Sequence, residues 1–225
     1  MNIKYTSTSA EAGETELLVR RGLIEVKIEV NFVMRGTIHP VIPASLTPKV
    51  SEVLLADLEV PIVSLEDLYG GKLTASMDRQ HPRDPFDVMQ LFEHEGMTRS
   101  IRQAFVVYLA SHNRPIHEVL FPAKRPFGQE YDGNIRGMTV ETVALDDLLT
   151  ARERMLSEIQ TGLSSAERKF LISITRNEPG WSQSAIPHLT EPPAIRWKLQ
   201  NLAQLAKRNP HKFEDQASAL ENAIS

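Results

Sequence analysis

The stretch from Ser64 to Phe92 constrains the fold of this 225-residue chain most, because it predicts two helices joined by a very short connection. The first helix begins at Ser64, since a serine followed three residues later by an acidic residue, here Asp67, is typical of a capped helix start. It runs toward Arg79 with one inward stripe at helical spacing. The predicted stripe consists of Leu65, Leu68, Ala75 and Ser76. Lys72 falls on the same stripe, where a lysine is costly to bury unless an anionic group meets it.

The second helix supplies candidate anionic partners. Asp84 has the place of an N-cap, with Pro85 as the first helical residue and Asp87 as the third. Two explanations remain open. In the first, the acidic residues only cap their helix and Lys72 extends to solvent from the rim of the stripe. In the second, a cation and two carboxylates form a functional site.

Composition limits the class of protein. Hydrophobic residues make up 41% and charged residues 24%, which is typical of a soluble globular protein. The net charge of −4 gives no overall attraction to nucleic acid, so a polyanion site would need a local basic patch. The absence of cysteine excludes disulfides and thiolate zinc sites and suits a reducing cytoplasm. No apolar run approaches the roughly 20 residues that span a bilayer, and the polar N-terminus lacks a signal-peptide core. We therefore expect a cytoplasmic protein with no membrane partner.

Residues 16–33 predict a β-hairpin that turns at Arg21-Gly22. Its second run alternates strictly between apolar and polar residues, so one face packs and the other is polar. Two interpretations of the polar face remain open. It is either simply solvated, or it lines a cleft in which Glu29 joins other carboxylates in holding a divalent metal.

The remainder is predominantly helical by pattern. A loop or edge segment leads to a strand near 58–63, and another short strand is predicted at 138–144. Between them, residues 122–137 form a polar segment punctuated by Gly and Pro, which predicts a boundary. We expect a core in residues 1–121 and a mainly helical region in 122–225.

Basic residues cluster near the C-terminus: Arg196, Lys198, Lys207, Arg208, His211 and Lys212. Such a cluster is either a solvated helix face or a surface that contacts nucleic acid, and both interpretations stay open.

From Val26 to about Trp197 the chain resembles the AbiEii/AbiGii family of nucleotidyltransferase toxins. The resemblance lies in VKIEVNFVMRGTIHP, VPIVSLEDLYGGKLTASMDRQHPRDPFDVMQLFEHEG, IRQAFVVYLASHNRPIHE, GMTVETV and LLTARERM. Members resemble DNA polymerase β in their catalytic core. They act as the toxin of type IV toxin–antitoxin or abortive-infection systems and use a nucleoside triphosphate with Mg2+. The resemblance therefore implies an α+β fold, in which a small, partial polymerase-β-like sheet with flanking helices precedes a helical C-terminal region.

The resemblance also implies roles for five residues. Lys72 matches the lysine of the KLxA motif, and Asp84 matches the functional aspartate of the RDxxD motif, so both are expected to be catalytic. Lys72, Arg83 and Asp87 are expected to contact the nucleotide. Glu29 resembles a strand-borne acidic residue of the metal site.

The chain departs from the family pattern in two motifs. Members begin with a Gly-Gly-Thr/Ser turn and then carry an Asp-x-Asp pair that binds two metal ions. The only Gly-Gly here is Gly70-Gly71, inside the first predicted helix, and no Asp-x-Asp occurs. We therefore expect a family member without its first segment, in which Mg2+ is bound weakly.

Two main functions follow as hypotheses. The first is a toxin that transfers a nucleotide from a nucleoside triphosphate to an RNA or protein acceptor, is paired with a cognate antitoxin and is catalytically incomplete as this chain. The second is a non-catalytic remnant that binds a nucleotide, an antitoxin or RNA. A purely structural helical adaptor would leave Lys72 without a role. An incomplete sheet would also leave an exposed edge near residues 16–33, which predicts homo-oligomers.

Overall fold

The computed structural model describes residues 2–7, 15–30, 36–126, 128–183, 189 and 192–225. The chain divides into two compact units, Met1–Arg35 and Gly36–Ser225. The described residues form two small antiparallel sheets and ten α-helices, so the expected α+β class is confirmed. The predicted division at residue 121 stays a prediction.

The first unit contains a three-stranded antiparallel sheet. Its strands are β1 (Asn2–Ser7), β2 (Thr15–Arg21) and β3 (Ile24–Val30), with β2 in the centre. The two predicted strands of the hairpin are confirmed over the described residues, and residues 31–33 lie outside them. The turn predicted at Arg21-Gly22 is wrong by one residue, because Arg21 pairs with Ile24 in the sheet. The expectation that the apolar face packs is also wrong over the described part, since Ile24, Val26 and Ile28 are exposed. Gly22 begins the two-residue turn with φ +62°, a conformation that glycine adopts without a steric penalty. The strand β1 was not predicted, because its short polar sequence lacks an extended apolar alternation.

The second unit begins with a two-stranded sheet of β4 (Ile42–Ser45) and β5 (Glu59–Ile62). The predicted strand near 58–63 is therefore confirmed. Helix α1 (Pro48–Leu54) connects the two strands, although the sequence predicted only a loop or edge there. The remaining helices are α2 (Leu65–Arg79), α3 (Arg83–His94), α4 (Arg99–Ser111), α5 (Ile116–Leu120), α6 (Gly128–Asn134), α7 (Leu145–Gly162), α8 (Ser165–Thr175), α9 (Pro193–Arg208) and α10 (Pro210–Ile224).

The main hydrophobic core of the second unit is built by helices. Leu73 of α2, Phe105 of α4, Phe170 of α8 and Leu220 of α10 all belong to one buried cluster. The strand predicted at 138–144 is wrong, since this segment forms turns and irregular backbone with exposed Met138 and Val140 side chains. No helix among the described residues is long and apolar enough to cross a membrane.

Helix α2 begins as predicted but buries a different face. The Ser64 hydroxyl accepts a hydrogen bond from the Asp67 amide at 3.0 Å, which confirms the capped start. The predicted inward stripe is wrong at Leu65 and Leu68, which are exposed, and is confirmed at Ser76, which is buried. The buried side consists of Asp67, Gly70, Leu73, Thr74, Ser76 and Met77. Helix α4 determines this side by packing directly against α2.

Candidate functional site

The predicted lysine and one predicted carboxylate meet between α2 and α3. Lys72 Nζ lies 2.6 Å from Asp87 Oδ2, and each side chain is 35% exposed. Lys72 thus stands at the edge of α2 that faces α3, rather than in the core. Tyr69 lies one turn earlier on α2, and burial, with the charges of Glu95 and Asp87, raises its pKa. The sequence prediction that a carboxylate meets Lys72 is confirmed.

The other predicted carboxylate, Asp84, pairs with a residue that the sequence prediction did not single out. Arg79 donates from Nε to both Asp84 oxygens at 2.9 and 3.0 Å and from Nη2 to Oδ1 at 2.5 Å. The Asp84 side chain is only 2% exposed and also accepts a bond from the His81 amide at 2.9 Å. The same ion pair raises the pKa of Arg79. Asp84 therefore fixes the turn between α2 and α3.

The prediction that Asp84 is an N-cap is wrong. Helix α3 begins at Arg83 with Pro82 in the capping position, and Pro82 makes no side-chain capping bond. Asp84 lies inside the first turn, and its carboxylate is directed across the connection to Arg79. A hydrogen bond to the charged guanidinium is stronger than one to the backbone amides at the start of α3, so the carboxylate binds Arg79 instead of capping the helix. The spacing could have indicated Arg79, since it lies two helical turns after Lys72 and so shares the face toward α3.

The turn between α2 and α3 is also tied to the predicted polar segment. Gln80 adopts a left-handed conformation with φ +51°, and its side chain is buried. Its amide nitrogen donates to the Ala123 carbonyl at 2.9 Å, while its oxygen accepts from the Arg125 amide at 3.0 Å. These bonds hold the start of residues 122–137 against the turn that carries Asp84.

Arg83 and Glu29 are the other two residues predicted for the site. The exposed Arg83 side chain donates from Nε toward the Asn134 carbonyl at 3.4 Å, at the end of α6. Glu29 lies on β3 opposite Glu16 in the strand register, and its side chain lies outside the described residues. The nucleotide contact predicted for Arg83 and the metal contact predicted for Glu29 therefore stay predictions.

The sequence prediction missed a buried carboxylate at the start of α2. Asp67 Oδ1 accepts from the Ile38 amide at 2.7 Å and from the Tyr108 hydroxyl at 2.8 Å, while Oδ2 accepts from the His39 amide at 2.9 Å and the Ser64 hydroxyl at 3.0 Å. The position of Asp67 at the start of the helix was predicted. The residues around it in the sequence give no sign that the Ile38 and His39 amides and the Tyr108 hydroxyl of α4 donate to it. Asp67 joins these segments to the helix that carries Lys72.

A separate cavity of about 500 Å³ lies between α3, α7 and the segment before α7. Its lining includes Glu93, Glu141 and Asp147. The Arg154 guanidinium also lines it, stacking 3.9 Å over the Phe92 ring and pairing with Glu158 at 2.7 Å. This acidic lining repels a triphosphate, so Lys72 remains the better candidate for contacting one.

Nucleotidyltransferases generally use a divalent metal, which carboxylate or imidazole side chains of this chain would have to hold. The described part of the chain contains no group of three His, Asp or Glu side chains that could hold a metal ion. Asp84 already satisfies its oxygens with Arg79 and the His81 amide, which leaves Asp87 as the accessible one of the two predicted carboxylates. These residues do not fit a two-metal site.

Comparison with known proteins assigns the family. A family model described as nucleotidyl transferase AbiEii toxin, type IV TA system, matches residues 2–201. No curated protein and no solved structure matches the chain. The match includes β1 to β5 and the α2–α3 pair, and it ends at residue 201 within α9. The chain belongs to the AbiEii family of nucleotidyltransferase toxins of type IV toxin–antitoxin systems.

Proposed function

We propose that this chain binds a nucleoside triphosphate through Lys72 and transfers its nucleotide to an RNA or protein acceptor as the toxin of a cytoplasmic toxin–antitoxin pair. In such a transfer the oxygen of an acceptor hydroxyl bonds to the α-phosphorus and releases its proton to water, while the bond from the α-phosphorus to pyrophosphate breaks. A lysine beside the outer phosphates neutralises the charge that builds on the departing pyrophosphate.

The Lys72–Asp87 pair is the observation that supports this proposal. Both side chains are about one-third exposed, and ion pairs with such exposure contribute only about 0–1 kcal/mol. A triphosphate can therefore replace Asp87 as the partner of Lys72 at little cost. The family membership supports the same reaction class, because it implies a triphosphate substrate and a cognate antitoxin.

The Arg79–Asp84 pair supports a different role for Asp84. Breaking the Arg79–Asp84 ion pair would leave the Asp84 carboxylate, which is 2% exposed, without its charged partner. Loss of one partner of a buried ion pair typically costs about 3–5 kcal/mol of folding free energy. We propose that activity depends on Asp84 through its hold on Arg79 and the α2–α3 turn. Arg83, exposed at the start of α3, is proposed as an additional phosphate contact. Mg2+ is proposed to arrive with the nucleotide, and we assign no catalytic step to it.

Calorimetric titration with each Mg2+-nucleoside triphosphate tests the proposal. We expect saturable binding by the unmodified chain and none by Lys72→Ala. Lys49→Ala, which removes an exposed lysine from α1, is the matched control and should bind normally. Asp87→Asn should bind metal-free triphosphate up to about fivefold more tightly, because Lys72 loses its competing partner. Absence of binding by the folded, unmodified chain would refute the proposal.

The second candidate function is a non-catalytic binding module. Two observations favour it: the 225 residues contain no Asp-x-Asp, and no three-ligand metal group occurs among the described side chains. Transfer of labelled nucleotide to total RNA or protein separates the two candidates. Binding with transfer supports the toxin, whereas Lys72-dependent binding without transfer supports the module.

A further inference from the structure

Helix α9 concentrates positive charge in a chain that is acidic overall. Residues 192–212, which include all of α9 and the start of α10, contain five Lys and Arg and no Asp or Glu. The whole chain has a net charge of −4. The concentration is therefore local, as a site for a polyanion on an acidic protein must be.

The exposed side chains of α9 form one continuous face. At 100° per residue they fall within an arc of about 140°. They include Arg196, Trp197, Gln200, Gln204, Lys207 and Arg208, all of which are exposed. Lys212 adds an exposed cation at the start of α10. We call these α9 residues together with Lys212 the α9 face. It combines three charged side chains of α9 and Lys212 with side-chain amides and one indole.

Lys198, which the sequence analysis grouped with these basic residues, is not part of the α9 face. Its side chain is 5% exposed, and Nζ donates to the carbonyls of His112 and Arg114 at 2.7 Å and of Asn113 at 3.3 Å. It therefore attaches α9 to the end of α4. Because α4 also packs against α2, the α9 face belongs to the same helical unit as Lys72.

Trp197 distinguishes the α9 face from an ordinary solvated helix. Its side chain remains 43% exposed beside Arg196, although large apolar rings favour burial. Nucleic-acid bases stack on such exposed rings, Lys and Arg neutralise phosphates, and amides hydrogen-bond to sugars and base edges. From Arg196 to Arg208 the helix rises about 18 Å, which is long enough to contact several consecutive phosphates.

We propose that the α9 face binds single-stranded nucleic acid, with the cations on phosphates and Trp197 stacked on a base. The choice of RNA as the natural ligand rests on the proposed function, in which RNA is one acceptor class. An acidic protein would satisfy the same cations but would not require an exposed indole beside Arg196.

Fluorescence anisotropy with a labelled oligouridylate, in the absence of nucleoside triphosphate and metal, tests the binding directly. Affinity should fall with salt, with a slope of about −0.7 for each phosphate contacted. Lys207→Gln combined with Arg208→Gln should lower affinity about tenfold or more and reduce the slope by about 1.4. The matched control combines Lys49→Gln and Arg99→Gln, which remove the same charge from α1 and from the distant end of α4, and it should bind normally.

Tryptophan fluorescence tests the stacking. The chain has two tryptophans, and Trp181 packs against Phe170 while Trp197 is exposed. Oligouridylate should quench the emission, and Trp197→Phe should abolish this quenching. No binding at low salt, equal weakening in the control variant, or binding without quenching would overturn the proposal.

The outcome is separable from that of the proposed function. Lys207→Gln with Arg208→Gln should leave triphosphate titrations unchanged, because Lys72 is untouched. Failure of oligouridylate binding with normal triphosphate binding would refute only the α9 face. Oligouridylate binding in a chain that binds no triphosphate would support the α9 face and refute only the proposed function.

Discussion

At the residue scale, Asp67 is a buried carboxylate held entirely by hydrogen-bond donors. Two backbone amides and two hydroxyls contact its oxygens, and its side chain is 2% exposed. Charge-assisted bonds of this kind are roughly twice as strong as neutral ones. Burial, together with the bond to Asp67, raises the pKa of Tyr108, so the phenol remains a donor at ordinary pH.

Replacing Asp67 with asparagine should destabilise the fold. In Asp67 each carboxylate oxygen accepts a hydrogen bond from a backbone N–H, one from Ile38 and the other from His39. The side-chain NH2 of asparagine would replace one of these oxygens, so one backbone N–H would face another donor. We expect a loss of about 3 kcal/mol in the free energy of unfolding, measured by urea denaturation. Tyr108→Phe removes one of the four bonds and should cost about 1.5 kcal/mol. An Asp67→Asn protein as stable as the unmodified chain would contradict this assignment.

At the element scale, α2 and α4 approach closely at a glycine. A Cβ on Gly70 would lie 3.0 Å from the Ala104 carbonyl carbon and 3.1 Å from the Phe105 nitrogen. Both contacts are with backbone atoms, so the two helices would have to separate. The glycine therefore sets the distance between the helix that carries Lys72 and the helix against which it packs.

Gly70→Ala should lower stability despite the better helix propensity of alanine. Overpacking costs about 1–3 kcal/mol, against a propensity gain of about 1 kcal/mol. Gly133→Ala, in α6, is the matched control because no atom lies within 4 Å of its added Cβ, and it should be neutral or stabilising. Thermal unfolding of both variants provides the comparison, and equal behaviour would argue against the close approach.

This helix pair also shows why part of the site could be predicted and part could not. The start of α2 is encoded locally, since Ser64 and Asp67 form their capping bond within one turn. Its buried face is decided by α4, whose Ala104 lies against Gly70, and no spacing within α2 contains that information. The partner of Lys72 was predictable because both helices were recognised. The spacing from Lys72 also places Arg79 on the face toward α3, but its bond to Asp84 depends on the direction of two side chains across a turn, which spacing does not give.

The attachment of α9 to α4 should make stability depend on pH. Burial lowers the pKa of Lys198 to about 8, from 10.5 in an unfolded chain. Between these values the unfolded chain binds more protons, so raising the pH stabilises the folded state. From pH 7.5 to 9.5 this contribution should rise by about 2 kcal/mol.

Urea denaturation of the unmodified chain and of Lys198→Met at both pH values measures this contribution. Tyrosines and other groups that titrate at alkaline pH are common to the two proteins, so their effects cancel in the difference. The stability difference in favour of the unmodified chain should grow with pH. If the stability difference between the two proteins did not change with pH, the pKa of Lys198 would be the same in the folded and unfolded chain, and the prediction would be wrong.

At the scale of the whole molecule, the two units differ in what stabilises them. The described part of the first unit is a sheet in which β1 and β3 are the outer strands, with exposed Ile24 and Val26 on β3. Self-association through such an edge stays a prediction. The second unit contains the described hydrophobic cluster that joins α2, α4, α8 and α10.

Residues 36–225 should therefore fold without the first unit. All residues of the two described core clusters lie in this range, so removal of residues 1–35 takes away no member of either cluster. Both tryptophans also lie in it and report on unfolding. We expect a fragment of residues 36–225 to retain the helical circular dichroism and to unfold cooperatively in urea. A fragment that unfolds without a cooperative transition would mean that the helical core depends on the three-stranded sheet. Calorimetry on the folded fragment would then show whether Lys72 binds a triphosphate without the strand that carries Glu29.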